Sequence, residues 1–403
     1  APPPRRVPAR NLFEDLTAAL ALPYTHTENL FVDFDRDRLL YHMLSTEGPR
    51  MAIGDVNGDG LEDVFIGGAK DSPGRLLVQV PGGRFIPSNE AVFEADKASE
   101  DLQALFFDAD NDGDADLYVC SGGHEFSESS SALMDRLYFN DGRGNLRKAN
   151  AVLPAGKFES SSCVEAADYD ADGDLDLFVG IRVRPFLYGV PANGYLLQND
   201  GRGNFRNVTP QVAPALKEVG MITDALWLDY DNDGDPDLLL AGEWMPLRLF
   251  ENRGGRFEEV SQAAGLAGTA GWWNVLAAAD LDQDGDLDVV AGNHGLNSRF
   301  KASPERPVSC YVNDFDRNGS AEQIIAQFNG DRSYPLVLRH DLVMQLPHLK
   351  KKYLKYEAYQ NQTVEDIFTP EELEGAIVHE VTTLETSLLL NRGDGTFEVR
   401  PLP

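Results

Sequence analysis

Asp229-Tyr230-Asp231-Asn232-Asp233-Gly234-Asp235-Pro236-Asp237 is the stretch that decides the fold. It places carboxylates at positions 1, 3, 5 and 9 and a glycine at position 6. Hard cations such as Ca²⁺ take roughly six to eight oxygen ligands, and alternate carboxylates on a tight loop supply them. Gly234 permits the turn that aims Asp229, Asp231 and Asp233 inward. The carbonyl of Asp235 fills position 7 and Asp237 closes the site. An EF-hand would need a glutamate at position 12 and a helix on each side. Leu240 stands there instead. The flanks, Ala225-Leu226-Trp227-Leu228 and Leu238-Leu239-Leu240-Ala241-Gly242, are short apolar runs. The local reading is strand, metal loop, strand.

The pattern recurs. It stands at Asp55, Asn57, Asp59, Leu61 and Asp63, and again at Asp108, Asp110, Asp112, Asp114 and Asp116. Further copies are Asp168, Asp170, Asp172, Asp174 and Asp176, and Asp280, Asp282, Asp284, Asp286 and Asp288. A weaker sixth is Asp314, Asp316, Asn318, Ser320 and Glu322. Start-to-start spacings of 53, 60, 61, 51 and 34 residues signify a repeat fold in which each unit buries its apolar face against its neighbours. The first four loops are each followed by a second apolar pair around a Gly-rich turn, as in Leu137-Tyr138-Phe139-Asn140-Asp141-Gly142-Arg143-Gly144. Gly, Asn and Asp tolerate φ > 0, so these are hairpins. Two inner strands joined by a metal loop and two outer strands joined by a turn make a propeller blade. The expected fold is all-β, a propeller of four-stranded antiparallel blades. Six loops plus a last hairpin at 388–397 suggest seven blades, with six as the alternative.

The net charge of −31 has a local source: the six loops hold 27 of the 66 acidic residues. Six bound Ca²⁺ would bring the charge to −19. The acidity that remains argues against DNA or an anionic membrane as partner. Cys120, Cys163 and Cys310 are odd in number and form no CxxC, which fits buried free thiols rather than a disulfide framework. No apolar run reaches the roughly 18 residues of a membrane span. The chain begins with Ala1, as a processed or trimmed product would, and millimolar calcium is found outside cells. The expected location is extracellular or cell-surface.

Residues 1–28 read as a Pro- and Arg-rich arm with a short helix over 11–22, and 29–403 as the propeller. Asp33, Asp35 and Asp37 imitate the start of a metal loop but lack the glycine and the closing acid, so the plainer reading is a solvated polar segment. Residues 340–375 read as a helical insertion, with Thr369 as N-cap and Pro370 in the first turn.

The D-x-[DN]-x-D-G-x-x-D loop between strands, followed by [LF]-x-N-x-G-x-G-x-F, resembles the FG-GAP/VCBS repeat family, which includes the propeller heads of integrin α subunits. The runs Gly242-Glu243-Trp244-Met245-Pro246, Gly271-Trp272-Trp273-Asn274 and Gly295-Leu296-Asn297-Ser298 resemble its bacterial secreted branch, near proteins that also carry an ASPIC/UnbV segment, though no such segment is found here. The resemblance implies calcium, five or six ions, at the loop positions. It implies no single activity, because propellers host adhesion, lectin and enzyme functions alike.

Three or four carboxylates within a few ångströms repel by about 4 kcal/mol per pair at 4 Å and an effective dielectric near 20. Calcium is therefore expected to stabilise the blades. Magnesium, which keeps its waters, fits less well. Arg392-Gly393-Asp394 spells an adhesion tripeptide, but it falls where the other blades have their turns. Trp227, Trp244, Trp272 and Trp273 could stack sugars or pack between blades; Gly271 suggests that Trp272 and Trp273 sit on an exposed bend. Lys350, Lys351, Lys352 and Lys355, interleaved with Tyr353, Tyr356 and Tyr359, form the one basic cluster: a solvated helix face, or a dock for an acidic partner or a second copy. The seven histidines show no metal spacing such as HExxH, although His124 and His294 could line a face of the ring. The expected function is a protein–protein adhesion or assembly scaffold, with a glycan-binding module as alternative and no catalysis.

Overall fold

The computed structural model describes residues 13–16, 20, 22–150 and 159–402. The arm and most of the short helix expected over 1–22 lie outside the described residues. The chain is an all-β propeller built of four-stranded antiparallel units.

Unit 1 comprises Met51–Gly54, Asp63–Ile66, Arg75–Val80 and Arg84–Ser88, and unit 2 Glu100–Phe107, Asp116–Gly122, Arg136–Phe139 and Arg147–Lys148. Unit 3 comprises Ser160–Ala167, Asp176–Val183, Gly194–Gln198 and Arg206–Asn207, and unit 4 Met221–Leu228, Asp237–Met245, Arg248–Asn252 and Phe257–Glu259. In each, the first two strands flank a metal loop and the last two flank a Gly-rich turn, as the repeat dictates.

Unit 5 is split. Its inner strands are Gly271–Ala279 and Asp288–Asn293, and its outer strands are Ser387–Asn391 and Phe397–Pro401, with Val289 facing Leu389 across the sheet. The hairpin counted from sequence as a seventh unit is thus the outer half of the fifth. Residues 294–386 are inserted between the halves and carry their own sheet: Val308–Asn313, Glu322–Asn329, Arg332–Pro335 and Ile377–Val381. Six four-stranded units are present among the described residues, five in the arc of the ring and one nested.

Four apolar cores lie between successive ring units. Phe65, Leu76, Leu117 and Tyr138 fill the first junction, and Tyr118, Leu137, Val164 and Leu177 the second. Phe178, Leu196, Ile222 and Leu238 fill the third, and Leu239, Trp273, Val289 and Leu389 the fourth. Period-2 strands place one face in one junction and the other face in the next, which is why their inward residues read as continuous apolar runs. The three cysteines are buried and free.

The helical insertion is present as short segments, Arg339–Gln345, Pro347–Lys351, Tyr356–Tyr359, Val364–Ile367 and Pro370–Leu373. Thr369 caps the last with Glu372 in a reciprocal pair, and Thr363 does the same with Asp366 one segment earlier. Leu342, Leu346, Leu349, Tyr353 and Phe368 pack on Phe315 and Ile324 of the nested sheet.

The segment 29–50 is solvated only in part: Leu30 and Asp35 are exposed, whereas Leu39, Leu40, Leu44 and Ser45 are buried. Asp33 is fully buried and accepts from the Leu44 and Ser45 amides and the Ser45 hydroxyl, while Asp37 accepts from Gln323. These acids fasten the segment to itself and to the nested sheet instead of converging on an ion.

Candidate metal centres

The loop backbone is wound by its glycines. Position 6 has φ between +82° and +102° in all six copies, and position 4 is left-handed too, at Gly58, Asn111, Ala171, Asn232, Gln283 and Arg317. The amide of the position-6 glycine donates to the position-1 carboxylate, for example Gly113 to Asp108 at 3.0 Å and Gly234 to Asp229 at 3.1 Å. Position 5 accepts the amide of position 7, as Asp112 does from Asp114 and Asp233 from Asp235.

These turns bring positions 1, 3 and 9 together. Five clusters each offer three carboxylate oxygens within 4.8 Å of one another: Asp108, Asp110 and Asp116; Asp168, Asp170 and Asp176; Asp229, Asp231 and Asp237; Asp280, Asp282 and Asp288; Asp314, Asp316 and Glu322. The sixth copy, weakened in sequence by Asn318 and Glu322, gathers its acids like the others. The first loop has Asn57 at position 3, whose oxygen accepts from the Asp59 amide, so only Asp55, Asp59 and Asp63 bring charge there. The position-5 acids Asp112, Asp172, Asp233 and Asp284 are not among the three whose oxygens lie within 4.8 Å of one another. At position 7, Asp174 and Asp286 accept from Asn111 and Asn232 of the preceding loops. Those side chains bind across the seam, leaving the carbonyl as the position-7 donor.

These loops suit a cation. Among their side-chain oxygens, Asp110 Oδ1, Asp170 Oδ1, Asp176 Oδ2, Asp316 Oδ1 and Glu322 Oε1 are buried without a partner. Burial, with neighbouring carboxylates adding to it, pushes Asp116, Asp176, Asp237 and Glu322 up to about 7. Like charges gathered out of water need a counter-charge. The all-oxygen donor set points to a hard divalent ion.

In the five ring loops position 9 also ties the loop to its outer strand. Asp116 accepts the amides of Ala109 and Asn140, and Asp237 those of Tyr230 and Asn252. The asparagine that ends the third strand then reaches into the preceding unit. Asn140 Nδ2 donates to the Val56 carbonyl at 2.7 Å. Asn199 donates to Ala109, Asn252 to Tyr169 and Asn391 to Tyr230, each at 2.8 Å. The acceptor is always position 2 of the neighbouring metal loop. Sequence reading took these asparagines as turn formers and missed the latch, although each stands two residues before a turn glycine (Gly142, Gly201, Gly254, Gly393).

The other candidates separate cleanly. Trp272 and Trp273 are 1% and 0% exposed, and Trp244 is buried as well. Trp272 stacks on Tyr41 with ring centroids 5.0 Å apart, and the Trp273 indole donates to the Thr269 carbonyl. They are packing residues, and no sugar can reach them. Gly271 signals close packing, since a Cβ there would lie 2.8 Å from the Trp273 ring. Arg392 pairs with Glu398 and the Gly393 amide donates to Asn391, so the tripeptide is an ordinary outer turn. His124 is buried with its pKa pushed down to about 4 by desolvation. His294 lines a cavity of 420 Å³ at the ring centre with Tyr41, His42, Arg182 and Glu243. There Glu243, 2% exposed, accepts from Tyr41, Arg182 and Tyr188 at 2.8–3.0 Å. Both oxygens of that carboxylate accept hydrogen bonds, which suits a structural brace.

In the basic cluster, Lys350, Lys351 and Lys355 are exposed, whereas Lys352 Nζ donates to the Asp366 and Ile367 carbonyls and Tyr353 is 1% exposed. Leu354 at 74% exposure and Tyr356 at 59% flank Lys355 in the sequence, and Leu338 at 64% and Met344 at 51% are exposed where the insertion begins. No helix among the described residues is long and apolar enough to cross a membrane.

No curated protein matches the chain in sequence. Among solved structures, it is similar to BBS1N in complex with ARL6DN at 16% identity, covering 73% of this chain and 81% of that one with a TM-score of 0.35. A rhamnogalacturonan lyase PL11 of Bacillus licheniformis is similar at 15% identity, covering 71% and 55%, with a TM-score of 0.35. Neither likeness is close enough to carry an argument about this chain. The model of the FG-GAP-like repeat matches residues 55–119, 126–179 and 229–291, three stretches that each contain one or more of the loops described above. With that match and the repeated loop-and-blade architecture, the chain carries three FG-GAP-like repeats within residues 55–291.

Proposed function

We propose that this protein is a calcium-stabilised propeller that works outside the cell as a protein-docking scaffold, without catalysis of its own, and that the helical insertion is its docking surface. The observation that carries the reading is the patch on that insertion. Leu354 and Tyr356 are exposed on either side of Lys355, on an insertion that also exposes Leu338, Met344, Lys350 and Lys351, in a chain whose net charge is −31. Exposed apolar side chains with lysines beside them fit a partner segment with an apolar centre and acidic neighbours. The loops supply rigidity: their oxygen-only donors and flexible geometry favour Ca²⁺ over Mg²⁺. A glycan-binding role has lost its best candidates, because Trp272 and Trp273 are enclosed.

Two measurements test the reading. Elemental analysis of protein equilibrated with both ions should count five or six calcium per chain and little magnesium. A photo-crosslinking residue at position 354 of the whole chain should give a defined protein adduct in the native extracellular milieu, abolished when Lys350, Lys351 and Lys355 are changed to Glu. Adducts that persist in the triple variant, or a glycan array with specific hits on the whole chain, would overturn it.

A further inference from the structure

One register position from each of units 2 to 5 lines the ring centre. Leu102, Ser162, Thr223 and Asn274 each stand six residues before position 1 of their metal loop. In each case the strand pairing skips that residue: Asp101 faces Ser121 and Gln103 faces Cys120, while Ile222 faces Gly242 and Asp224 faces Ala241. The same skip falls at Ser162 and at Asn274. A β-bulge takes one side chain out of the alternation of its strand and re-aims it. All four bulged residues line the cavity of 420 Å³. A second register position converges on it: Arg182, Glu243 and His294 each stand fourteen residues after position 1 of their loops. Tyr41, His42, Glu47 and Arg50 complete the lining from the segment 29–50. The volume falls within the roughly 300–1,000 Å³ of small-molecule sites.

Most of the charge around this cavity is spent within the protein. Arg182 donates to Glu47 and to Glu243, and Glu243 also accepts from Tyr41 and Tyr188. Two groups are not spent. Arg50 donates one N–H to Gln103 at 3.3 Å and lies 3.8 Å from its nearest carboxylate, Asp224, which leaves most of the guanidinium donors over. Glu47 Oε1 lies 3.3 Å from His42 Nε2, but that nitrogen accepts from Arg182 Nη2 at 3.1 Å and so brings no proton to Glu47. No ion pair joins Glu47 to Arg50 among the described residues. One segment thus presents an unspent donor fork and an unspent carboxylate oxygen to the same cavity. We propose that the cavity binds a free α-amino acid, with its carboxylate on the Arg50 guanidinium and its ammonium on Glu47 Oε1. A zwitterion meets both groups with the opposite charge, and it adds no net charge to a lining of two arginines and two glutamates. Hydrogen bonds between ionised partners at both ends are the strong kind. The Ser162 and Thr223 hydroxyls are spent on the Ile222 and Trp273 carbonyls, and the remaining lining charges on one another, so the side chain of the ligand is expected to be uncharged. The cavity shares no residue with the helical insertion, so this inference stands or falls apart from the docking reading.

Isothermal titration calorimetry of the whole chain in calcium, against each of the common L-α-amino acids, should find at least one that binds with a Kd below about 1 mM. Its methyl ester and its N-acetyl form each lack one of the two charges and should each bind at least about tenfold more weakly. In Arg50→Gln the free amino acid should bind no more tightly than its methyl ester, and in Glu47→Gln no more tightly than its N-acetyl form. A merely structural role for either residue would weaken every ligand and keep the ratios. Asn274→Trp, at an exposed position, fills the cavity and should abolish binding; it replaces either variant that does not melt like the parent chain. No binding of any amino acid up to about 10 mM, blocked forms that bind as tightly as the free one, variants that keep the ratios of the parent, or unchanged binding to Asn274→Trp would each overturn the proposal.

Discussion

The ring units and the nested sheet carry the same metal loop but use it differently. Loop 314–322 repeats the ring loops bond for bond: the Gly319 amide donates to Asp314 and the Phe315 amide to Glu322. Beyond the loop the likeness ends. In ring units 2 to 5 the strand after the loop leads to a third strand whose end carries a latching asparagine. In the nested sheet the third strand is Arg332–Pro335, which has no asparagine, and the fourth, Ile377–Val381, pairs on the opposite edge with the first. One oxygen of Glu322 is left buried and unpartnered, where the ring acids accept from the outer strand. The loop is thus a self-contained module, and the latch is what makes a module into a blade of the ring.

The comparison is broken most forcefully by removing the metal. Chelation should lower the melting temperature by at least ~10 °C, because several sites lose their counter-charge at once and each kcal/mol moves a chain of this size by a few degrees. Differential scanning calorimetry with and without a chelator measures it; an unchanged transition would mean that the loops hold themselves together without an ion.

Next in size is the latch. Asn252→Ala leaves the Tyr169 carbonyl buried without its donor and should cost about 1–3 kcal/mol in urea unfolding at saturating calcium. Gly201→Ala should cost about 1–2 kcal/mol, since φ is +68° and the new Cβ would meet Asp174 at 2.6 Å. Smallest is Gln79→Ala, at the register of Asn252 but in the first unit, which has no unit before it to latch. The protein should change by no more than about 0.5 kcal/mol. A loss as large as that of Asn252→Ala would show that Gln79 closes the ring within one molecule.

Much of this architecture was legible in the residues, and the exceptions have physical reasons. The loops and outer hairpins announce themselves through local chemistry: carboxylates at alternate positions, glycine where φ must be positive, Asn-Asp-Gly at turns. The site acids at positions 1, 3 and 9 follow from that spacing alone. The split of unit 5 was hidden because pairing Val289 with Leu389 is a long-range event, and each half looks like part of an ordinary repeat. The latch was hidden because the asparagine backbone serves the turn while its side chain serves the neighbouring unit. Trp272 and Trp273 were misplaced because Gly271 was taken for an exposed bend, whereas at a crowded junction glycine marks the absence of room.

The division of unit 5 also bears on how the molecule is made. Its inner strands are synthesised almost a hundred residues before the strand that covers them, so Val289 and Ala291 wait with an open edge while the whole nested sheet is produced and folds. The latch from Asn391 to Tyr230 waits equally long, which leaves the fourth junction incomplete until the final hairpin emerges. A chain cut short anywhere in 294–386 would therefore expose an unpaired strand edge to proteases and to other chains. Building unit 5 from two separated halves makes synthesis through the hairpin at 387–401 a condition for a closed fourth junction.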